Sequence, residues 1–428
     1  MADIYPFKGY RYNEEQVGDI NKVVTPPYDK IEGEDRIKFQ ERNPYNIIRL
    51  ILGEDEHKKE EYQQAADYLQ DWIDKDVLIQ ESEAGFYAYN QEYEVAGQTR
   101  VRKGFVGLGK IEDEKGVKAH ENTMAGPKAD RLNLIRATEA NFGHIFMLYS
   151  DRQKKIIKLL DDEVRGKEPL LKVNDENGNL HKLWPIKDQE IIGFIKEQMA
   201  DRDLYIADGH HRYQTALNFK KECEKKGYRG DFDKRLMTFV NFDDPGLTIL
   251  ATHRLVYGLD DFDPDRFLNE ITRDFAVKKY ENRSRMYEDL EENRGRQNCF
   301  GLCFKDREGF WVLTLKNKNV VQEMNGDHSR DWCELDVAVL HKAILEQRLG
   351  IDKKALESKK NIEYVRGRDS AIDKLQQGNY QACFILNPTP ERKVMQIADR
   401  GEKMPQKSTD FYPKLLTGLV IHKLNIQK

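Results

Sequence analysis

The stretch Leu204-Tyr-Ile-Ala-Asp-Gly-His-His-Arg-Tyr-Gln-Thr-Ala-Leu217 decides how the centre of this chain folds. It opens with a short apolar run that predicts a buried strand, and Asp208 and Gly209 predict a sharp turn. Apolar residues then recur at helical spacing, which predicts a helix. A strand that turns through glycine into a helix gathers backbone N–H groups and the positive end of the helix dipole at one point. The sequence therefore predicts an anion-binding junction.

The side chains at this junction suit phosphate chemistry. Arg212 offers a bidentate donor to an oxyanion, and His210 and His211 add donors that titrate near neutral pH. Asp208 is a candidate ligand of a metal ion. The two histidines are adjacent and would point in different directions on a helix, so we expect no metal shared between them. The alternative interpretation is an Asp-Gly turn with solvated histidines.

A second candidate site is the segment Lys118-Ala-His-Glu-Asn-Thr123. Glu121 is a candidate general base, because a carboxylate near a substrate hydroxyl can take its proton during nucleophilic attack. His120 and Thr123 are candidate substrate-binding residues beside it. The segment is not a zinc-protease motif, since Met124 stands where the second histidine would be needed. The alternative is an exposed loop with a helix cap.

The third candidate is Lys407-Ser408-Thr409, in a loop bounded by prolines. A lysine and two hydroxyls suit a phosphate or a carboxylate, and the alternative is a solvated loop near the C-terminus. The sequence contains no GxxxxGK[ST] motif and no GxGxxG after a strand. If the chain binds a nucleotide, the stretch from Asp208 to Arg212 is therefore the strongest candidate.

Composition restricts the class of protein. The chain has 428 residues, of which 39% are hydrophobic and 34% charged, with 70 basic and 75 acidic residues and a net charge of −5. This is typical of a globular chain of two or three domains without a basic surface for nucleic acid. We also expect no membrane span and no signal peptide. Five scattered cysteines predict free thiols in a reducing cytoplasm, and the sequence does not indicate an oligomeric state.

Periodicity along the chain predicts an α+β fold in three parts, with boundaries near residues 115 and 256. The first part, 1–115, contains a predicted helix from Glu54 to Asp74 and two alternating strands, Gly85 to Val95 and Thr99 to Lys110. The second part, 116–256, carries the Asp208 junction. The third, 257–428, includes a predicted helix from Val337 to Leu349 and the loop with Lys407.

Several motifs resemble those of one known family. The motif Ala207-Asp-Gly-His-His-Arg212 resembles the signature of the free L-serine kinases of the ParB/sulfiredoxin-like superfamily. His120-Glu121 resembles the His-Glu pair that precedes it there. Phe384-Ile-Leu-Asn-Pro-Thr389 and Pro405-Gln-Lys-Ser-Thr409 resemble the strand, Ala-Pro-Thr segment and Pro-Lys-Thr-Thr loop near the end of those kinases. The resemblance covers about 115–428. The whole chain also resembles a widespread bacterial and archaeal family, marked by Val24-Thr-Pro-Pro-Tyr-Asp29 and Asn43-Pro-Tyr45 together with the same core.

The resemblance implies a ParB/sulfiredoxin-like nucleotide-binding core over 116–256, with additional α+β units before and after it. It implies phosphoryl transfer from a nucleotide to the hydroxyl of free L-serine. The resemblance does not distinguish ATP from ADP as the donor, and we expect ATP because it is the commoner donor among kinases. Glu121 would be the base. Asp208 would lie near Mg²⁺, and Gly209, His210, His211 and Arg212 would hold the phosphates. Ser408 and Thr409, with Lys407 beside them, would lie at the substrate or phosphate edge.

One departure from the kinase pattern follows the Ser-Thr pair. The kinases carry a basic residue and a histidine there, where this chain has Asp410 and Phe411. Two other functions fit parts of the sequence. A non-enzymatic ParB-like protein that binds a nucleotide or a nucleic acid is disfavoured by the acidic charge balance. A sulfiredoxin-type repair enzyme would need a cysteine near the phosphate loop, and Cys223 lies a full helix later.

Overall fold

The computed structural model describes residues 2–31, 33–53, 59–112, 116–121, 126–317 and 326–428. Contacts divide the chain into two compact units. Unit 1 comprises residues 1–119, 123–248 and 413–428, and unit 2 comprises residues 120–122 and 249–412. Both units combine helices with β-sheets, which confirms the α+β class. The boundaries at 115 and 256 and the ParB/sulfiredoxin-like core remain predictions.

Unit 1 is built on a mixed β-sheet. Within the described residues the strands run, in spatial order, Val117–Ala119, Leu204–Asp208, Ile145–Tyr149, Lys234–Asn241, Gln98–Lys110, Phe86–Val95, Leu180–Ile186 and Leu171–Asn174, with Ile4–Tyr5 also paired to Gln98–Lys110. Two of the pairings are parallel and the others are antiparallel. Short strands lie outside this sheet at Tyr10–Tyr12, Leu78–Gln80, Ala140–Asn141, Arg229–Gly230, His422–Lys423 and Ile426–Gln427.

The long hairpin of this sheet follows from its sequence. Phe86–Val95 and Gln98–Lys110 pair antiparallel from Val95 opposite Gln98 to Tyr87 opposite Val106. Ala96 and Gly97 join them with φ of 51° and 71°. Positive φ at both central residues is what a two-residue type I′ turn requires. The two predicted strands are thus confirmed, each within a residue of its expected start.

Three helices cover one face of the sheet and bury its core. Lys155–Val164, Gln189–Ala200 and His210–Lys225 pack apolar residues against strand residues such as Met147 and Phe239. The remaining helices and 3-10 turns of unit 1 are Glu14–Val17, Ile20–Lys22, Tyr28–Lys30, Gly33–Arg42, Ile48–Ile51, Lys59–Asp74 and Gly126–Thr138. The helix predicted from Glu54 is therefore confirmed over Lys59–Asp74, and residues 54–58 lie outside the described residues.

The C-terminal segment, 413–428, packs on the opposite face of this sheet. Gln91 donates from Nε2 to the carbonyl oxygen of Lys414 at 3.1 Å, and the buried Arg102 donates to the carbonyl oxygen of Pro413. The ring of Phe146 lies under the Arg102 guanidinium, 4.6 Å from its carbon. These contacts fix where Lys414 is held.

Unit 2 is built on an antiparallel sheet. In the described part of the chain its strand order is Phe275–Tyr280, Phe310–Leu315, Cys299–Phe304, Ala382–Ile385, Thr252–Val256 and Ile362–Arg366. Successive side chains of a strand face opposite sides, so Phe300 and Leu302 enter one core while Cys299 and Cys303 enter another. The two cores lie on the two faces of the sheet. The strands Thr248–Ile249 and Phe411–Tyr412 are each two residues long.

The helices of unit 2 fill both cores. They are Pro264–Ile271, Arg283–Glu292, Arg330–Cys333, Lys353–Glu357, Arg368–Gln377 and Glu391–Asp399. The helix predicted from Val337 to Leu349 is present but irregular. It runs from Asp336–Val339 through a π-helical stretch, Leu340–Glu346, into Gln347–Leu349.

Two further predictions concern cysteines and membranes. All five cysteines are free, as predicted, and the structure buries each of them. Among the helices that the structure describes, none has the length and apolar composition needed to cross a bilayer.

Truncation of Phe239 tests the core of unit 1. Phe239 is 0% exposed, and its ring lies 5.0 Å from that of Phe105, centroid to centroid. We expect Phe239→Ala to lower the free energy of unfolding by about 3–5 kcal/mol, because it leaves a cavity in a packed core. The measurement is the chemical-denaturation midpoint of unit 1, followed by a probe within its sheet.

The control is Ile37→Ala, because Ile37 is 57% exposed. An exposed truncation should change stability by less than about 0.5 kcal/mol. Equal effects of the two substitutions would contradict the placement of Phe239 in the core.

Candidate functional site

The predicted strand–turn–helix junction is present in unit 1. The strand Leu204–Asp208 ends at Asp208, and the helix His210–Lys225 begins after Gly209. Gly209 has φ of 94°, a left-handed conformation that glycine adopts without strain. A Cβ at this position would lie 3.1 Å from Arg212 Nε. Glycine is therefore needed both for the turn and for the close approach of Arg212.

A bulge in the strand precedes this turn. Ile206 lies opposite Met147, whereas Asp208, two residues later, lies opposite Phe146, the next residue of the partner strand. One extra residue, Ala207, is thereby accommodated. A bulge bends its strand and redirects the side chains that follow, so the irregularity helps to set the orientation of Asp208 at the strand end.

Asp208 lies among positive charges. Its Oδ2 is 3.0 Å from Arg212 Nη2 and its Oδ1 is 3.5 Å from Lys414 Nζ. Burial acts to raise the pKa of Asp208, but the charges of Lys414, Arg212, Lys30 and His210 outweigh it and hold the pKa well below its usual range. The carboxylate is therefore ionised at any physiological pH.

Arg212 connects this junction to the neighbouring strand. Its side chain is buried, and Nη1 donates to the carbonyl oxygen of His144. Burial, with the positive charge of Arg212, lowers the pKa of His144 to about 4, so the imidazole is neutral. Its Nδ1 lies 2.7 Å from the Thr238 hydroxyl, and its Nε2 lies 3.3 Å from the Val420 carbonyl oxygen, to which it donates. Arg212 is thus held in one orientation from two sides.

The histidines of the motif open the helix. His210 and His211 are both partly buried, and His210 contributes to the electrostatics of Asp208. Within the described part of the chain, no three His, Cys, Asp or Glu side chains cluster closely enough to hold a metal ion. A metal at Asp208 would therefore take its other ligands from a bound molecule or from water, as magnesium commonly does.

The other two candidate segments meet in unit 2. His120 Nε2 lies 3.1 Å from the Thr409 hydroxyl, and the backbone N–H of Lys407 donates to Glu121 Oε1 at 3.3 Å. The Met404 N–H donates to the His120 carbonyl oxygen at 2.7 Å. The structure thus brings the His-Glu pair and the Lys-Ser-Thr loop together, although more than 280 residues separate them in sequence.

The Lys-Ser-Thr loop is fixed by its own hydrogen bonds. Lys407 has φ of 58°, and its carbonyl oxygen accepts from Arg254 Nη2 at 3.0 Å. The Ser408 hydroxyl donates to the Pro405 carbonyl oxygen at 2.5 Å, and the Ser408 carbonyl oxygen accepts from the Thr389 hydroxyl at 2.7 Å. Ser408 is therefore engaged in holding the loop, whereas Thr409 faces His120.

The departure from the kinase pattern also has a structural consequence. Asp410 forms an ion pair with Arg366 at 2.6 Å. The ring of Phe411 packs edge-on against that of His120, 6.2 Å between centroids. The two residues after Thr409 thus support the loop and the His120 ring.

The predicted site residues fall into two clusters. Unit 1 holds Asp208, Gly209, His210, His211 and Arg212, and unit 2 holds His120, Glu121, Lys407, Ser408 and Thr409. Thr123 lies outside the described residues. The roles predicted for all of these residues remain predictions.

Sequence reasoning did not predict where several residues that shape these clusters lie. Lys414 and His144 are distant from Asp208 in sequence, and no local pattern links them to it. Arg254 offered a weak signal, since an arginine within the apolar stretch 247–256 has to find polar partners when buried. Its backbone partner at Lys407 supplies one.

Three solved structures are similar to this chain in part of their fold. A conserved hypothetical protein from Pyrococcus furiosus has a TM-score of 0.33 and 13% identity, covering 71% of this chain and 92% of its own. A free serine kinase in complex with AMP has a TM-score of 0.34 and 13% identity, covering 71% and 89%. SbnI with a C-terminal truncation, from Staphylococcus aureus, has a TM-score of 0.34 and 9% identity, covering 72% and 85%.

Sequence comparison gives the family. No curated protein matches the chain in sequence. The family model described as "Protein of unknown function (DUF1015)" matches residues 4–338. This match spans well over half of the chain, so the chain belongs to that family.

Proposed function

We propose that this protein transfers the terminal phosphoryl group of ATP to the hydroxyl of free L-serine, giving O-phospho-L-serine. The observation that carries the proposal is the junction at Asp208–Arg212. There a helix N-terminus, a left-handed glycine and an ionised carboxylate meet two cationic side chains, Arg212 and Lys414. Serine as the acceptor is supported by the resemblance of the Asp-Gly-His-His-Arg and His-Glu motifs to those of the free serine kinases.

The junction supplies what the phosphates need. Phosphoryl transfer depends mainly on positioning and on stabilising negative charge. The first turn of the helix His210–Lys225 directs backbone N–H groups and the positive dipole end at an anion, and Arg212 adds a guanidinium whose orientation is fixed. Magnesium, when bound, would neutralise phosphate charge beside Asp208, the one carboxylate of this junction. The cations around Asp208 keep it ionised, which a metal ligand requires.

Glu121 is proposed as the general base. Its carboxylate would accept the proton of the serine hydroxyl while that oxygen bonds to the terminal phosphorus. The bond from phosphorus to the bridging oxygen breaks, and the nucleoside diphosphate leaves. The Lys407 N–H, 3.3 Å from Glu121 Oε1, limits the orientations open to the carboxylate. His120, Thr123, Lys407, Ser408 and Thr409 are proposed to bind the substrate or to order its surroundings.

Product formation tests the reaction directly. We expect the purified protein with Mg²⁺, L-serine and ATP to form O-phosphoserine, read by mass spectrometry, with ADP as a parallel donor. Glu121→Gln should lower kcat by about 10²–10⁴-fold, because the substitution removes a general base but keeps the size of the side chain. Nucleotide affinity should change little.

The matched control is Glu168→Gln, which changes an exposed glutamate of unit 1 and should leave kcat unaltered. Full activity in Glu121→Gln would remove Glu121 as the base. A nucleotide that binds without any product would reject the kinase and leave a nucleotide-binding protein. Product from ADP alone would correct the donor.

The charge of Asp208 gives a prediction on pH. Its pKa is depressed in the folded protein, so its ionised form stabilises the fold fully above the unfolded pKa of about 3.9, and that stability is lost as pH falls further. We expect the thermal midpoint of the wild type to exceed that of Asp208→Asn by a constant amount from pH 8 to 5. The difference should shrink below about pH 4.

Thermal unfolding of both proteins across this pH range makes the measurement. A difference that changes between pH 5 and 8 would show that another group is responsible. Asp208→Asn should also weaken nucleotide binding, since Arg212 loses the carboxylate that orients it.

A further inference from the structure

A small pocket in unit 1 lies on a second side of Arg212. Its volume is about 50 Å³, enough for a few water molecules or a small anion. Three arginines line it, Arg131, Arg212 and Arg235, together with Tyr28 and Thr215. The guanidinium carbon of Arg131 lies 4.4 Å from the centre of the Tyr28 ring. Tyr28 belongs to the Thr-Pro-Pro-Tyr segment, to which the proposed kinase gives no role. We call this the Arg235 pocket.

Arg235 is a buried cation, and some of its hydrogen-bond donors are unpaired within the described residues. The residue is 8% exposed, and its Nε and Nη1 have no hydrogen-bond partner within the described residues. Burial lowers the pKa of Arg235 to about 9, and the positive charge of Arg212 acts in the same direction. The guanidinium is still protonated at neutral pH. A buried charge without an opposite partner is unfavourable, so Arg235 needs an anion that the described residues do not supply.

Thr215 is a second buried residue of this pocket whose polar atom is unpaired within the described residues. It is 3% exposed and lies in the helix that Gly209 begins. Its hydroxyl has no hydrogen-bond partner in the part of the chain that the structure describes. Buried polar atoms normally have a hydrogen-bond partner. Arg235 and Thr215, which line the same pocket, therefore both have donors that lack an acceptor within the described residues.

The other two arginines are already held in place. Arg212 is paired with Asp208 at 3.0 Å. Arg131 donates from Nε to Asp130 Oδ2 at 2.7 Å and from Nη1 to the Ile51 carbonyl oxygen at 2.6 Å. Both guanidinium groups are therefore fixed before any ligand arrives, which lowers the ordering cost of binding.

We propose that the Arg235 pocket binds a phosphate group, either inorganic phosphate or the phosphate of a small molecule. The Arg235 Nε–H can donate to one phosphate oxygen, and the Thr215 hydroxyl can donate to a further oxygen. The Nη1 of Arg235 lies on another edge of the guanidinium and can donate to a second acceptor. A phosphate fits better than a carboxylate, because it offers more acceptor oxygens to the unpaired donors of Arg235 and Thr215. No phosphoryl transfer is required, so this inference goes beyond the proposed kinase.

Direct binding of inorganic phosphate to the full chain tests the pocket. We expect phosphate to raise the thermal midpoint of the wild type with concentration, and calorimetry to give its affinity. Arg235→Gln should lose at least about tenfold in affinity. Without phosphate it should unfold at the same or a higher temperature, because an unpaired buried charge has been removed. A lower midpoint with an unchanged phosphate response would overturn the proposal and make Arg235 structural.

Two further variants keep the test decisive. Thr215→Val keeps the shape of the side chain and removes one donor, so phosphate affinity should fall by a smaller factor. If Arg235→Gln fails to fold, unchanged affinity in Thr215→Val overturns the proposal. Arg165→Gln removes an arginine whose side chain is 76% exposed, and it should bind phosphate as the wild type does.

Competing ligands identify the source of the phosphate. Acetate binding more tightly than phosphate would overturn the choice of a phosphate group. Mutual exclusion of phosphate and ATP would mean that the pocket takes a nucleotide phosphate. Simultaneous binding would mean free phosphate or another phosphorylated molecule. None of these measurements uses O-phosphoserine formation, so failure of the kinase proposal and failure of the pocket give different results.

Discussion

The ion pair between Asp208 and Arg212 is the contact on which the unit 1 site depends. It joins the last residue of a strand to the first turn of the following helix, four residues later. The pair forms because Gly209 takes a left-handed conformation and has no Cβ to meet the guanidinium. Arg212 also donates a hydrogen bond to the carbonyl oxygen of His144, the residue that precedes the neighbouring strand Ile145–Tyr149. One guanidinium therefore fixes a strand end, a helix start and an adjacent strand together.

Buried arginines in unit 1 differ in how their charge is met. Arg102 is satisfied by the Gln91 side-chain oxygen and by the carbonyl oxygen of Pro413. Arg212 is balanced by a carboxylate, whereas Arg235 keeps two donors without a partner in the described residues. In unit 2 the buried Arg254 also has no partner for its Nε within the described residues, but its Nη1 and Nη2 donate to the carbonyl oxygens of Thr252 and Lys407. This contrast separates Arg235 from an ordinary core arginine.

The sequence predicted those helices, strands and turns whose conformation depends on residues close to them in the chain. The strand and helix around Asp208 and the hairpin turning at Ala96 follow from periodicity and turn chemistry within a few residues. The same reasoning could not predict that Lys414 lies beside Asp208, because that contact depends on residues 413–428 returning to the sheet of unit 1. It also missed the π-helical stretch Leu340–Glu346, since packing rather than sequence period sets such an irregularity.

The Lys-Ser-Thr loop shows why residue type alone misleads about roles. The motif predicted that the hydroxyls of Ser408 and Thr409 would both contact a ligand. In the structure the Ser408 hydroxyl donates to the Pro405 carbonyl oxygen of its own loop, whereas Thr409 faces His120. In the following positions Asp410 is paired with Arg366 and Phe411 packs on the His120 ring. At these two positions the serine kinases that the motifs resemble carry a basic residue and a histidine, and this chain has neither there. Among the described residues of unit 2, the structure therefore places Thr409, His120 and the backbone N–H of Lys407 around Glu121, while Ser408 is occupied within its own loop.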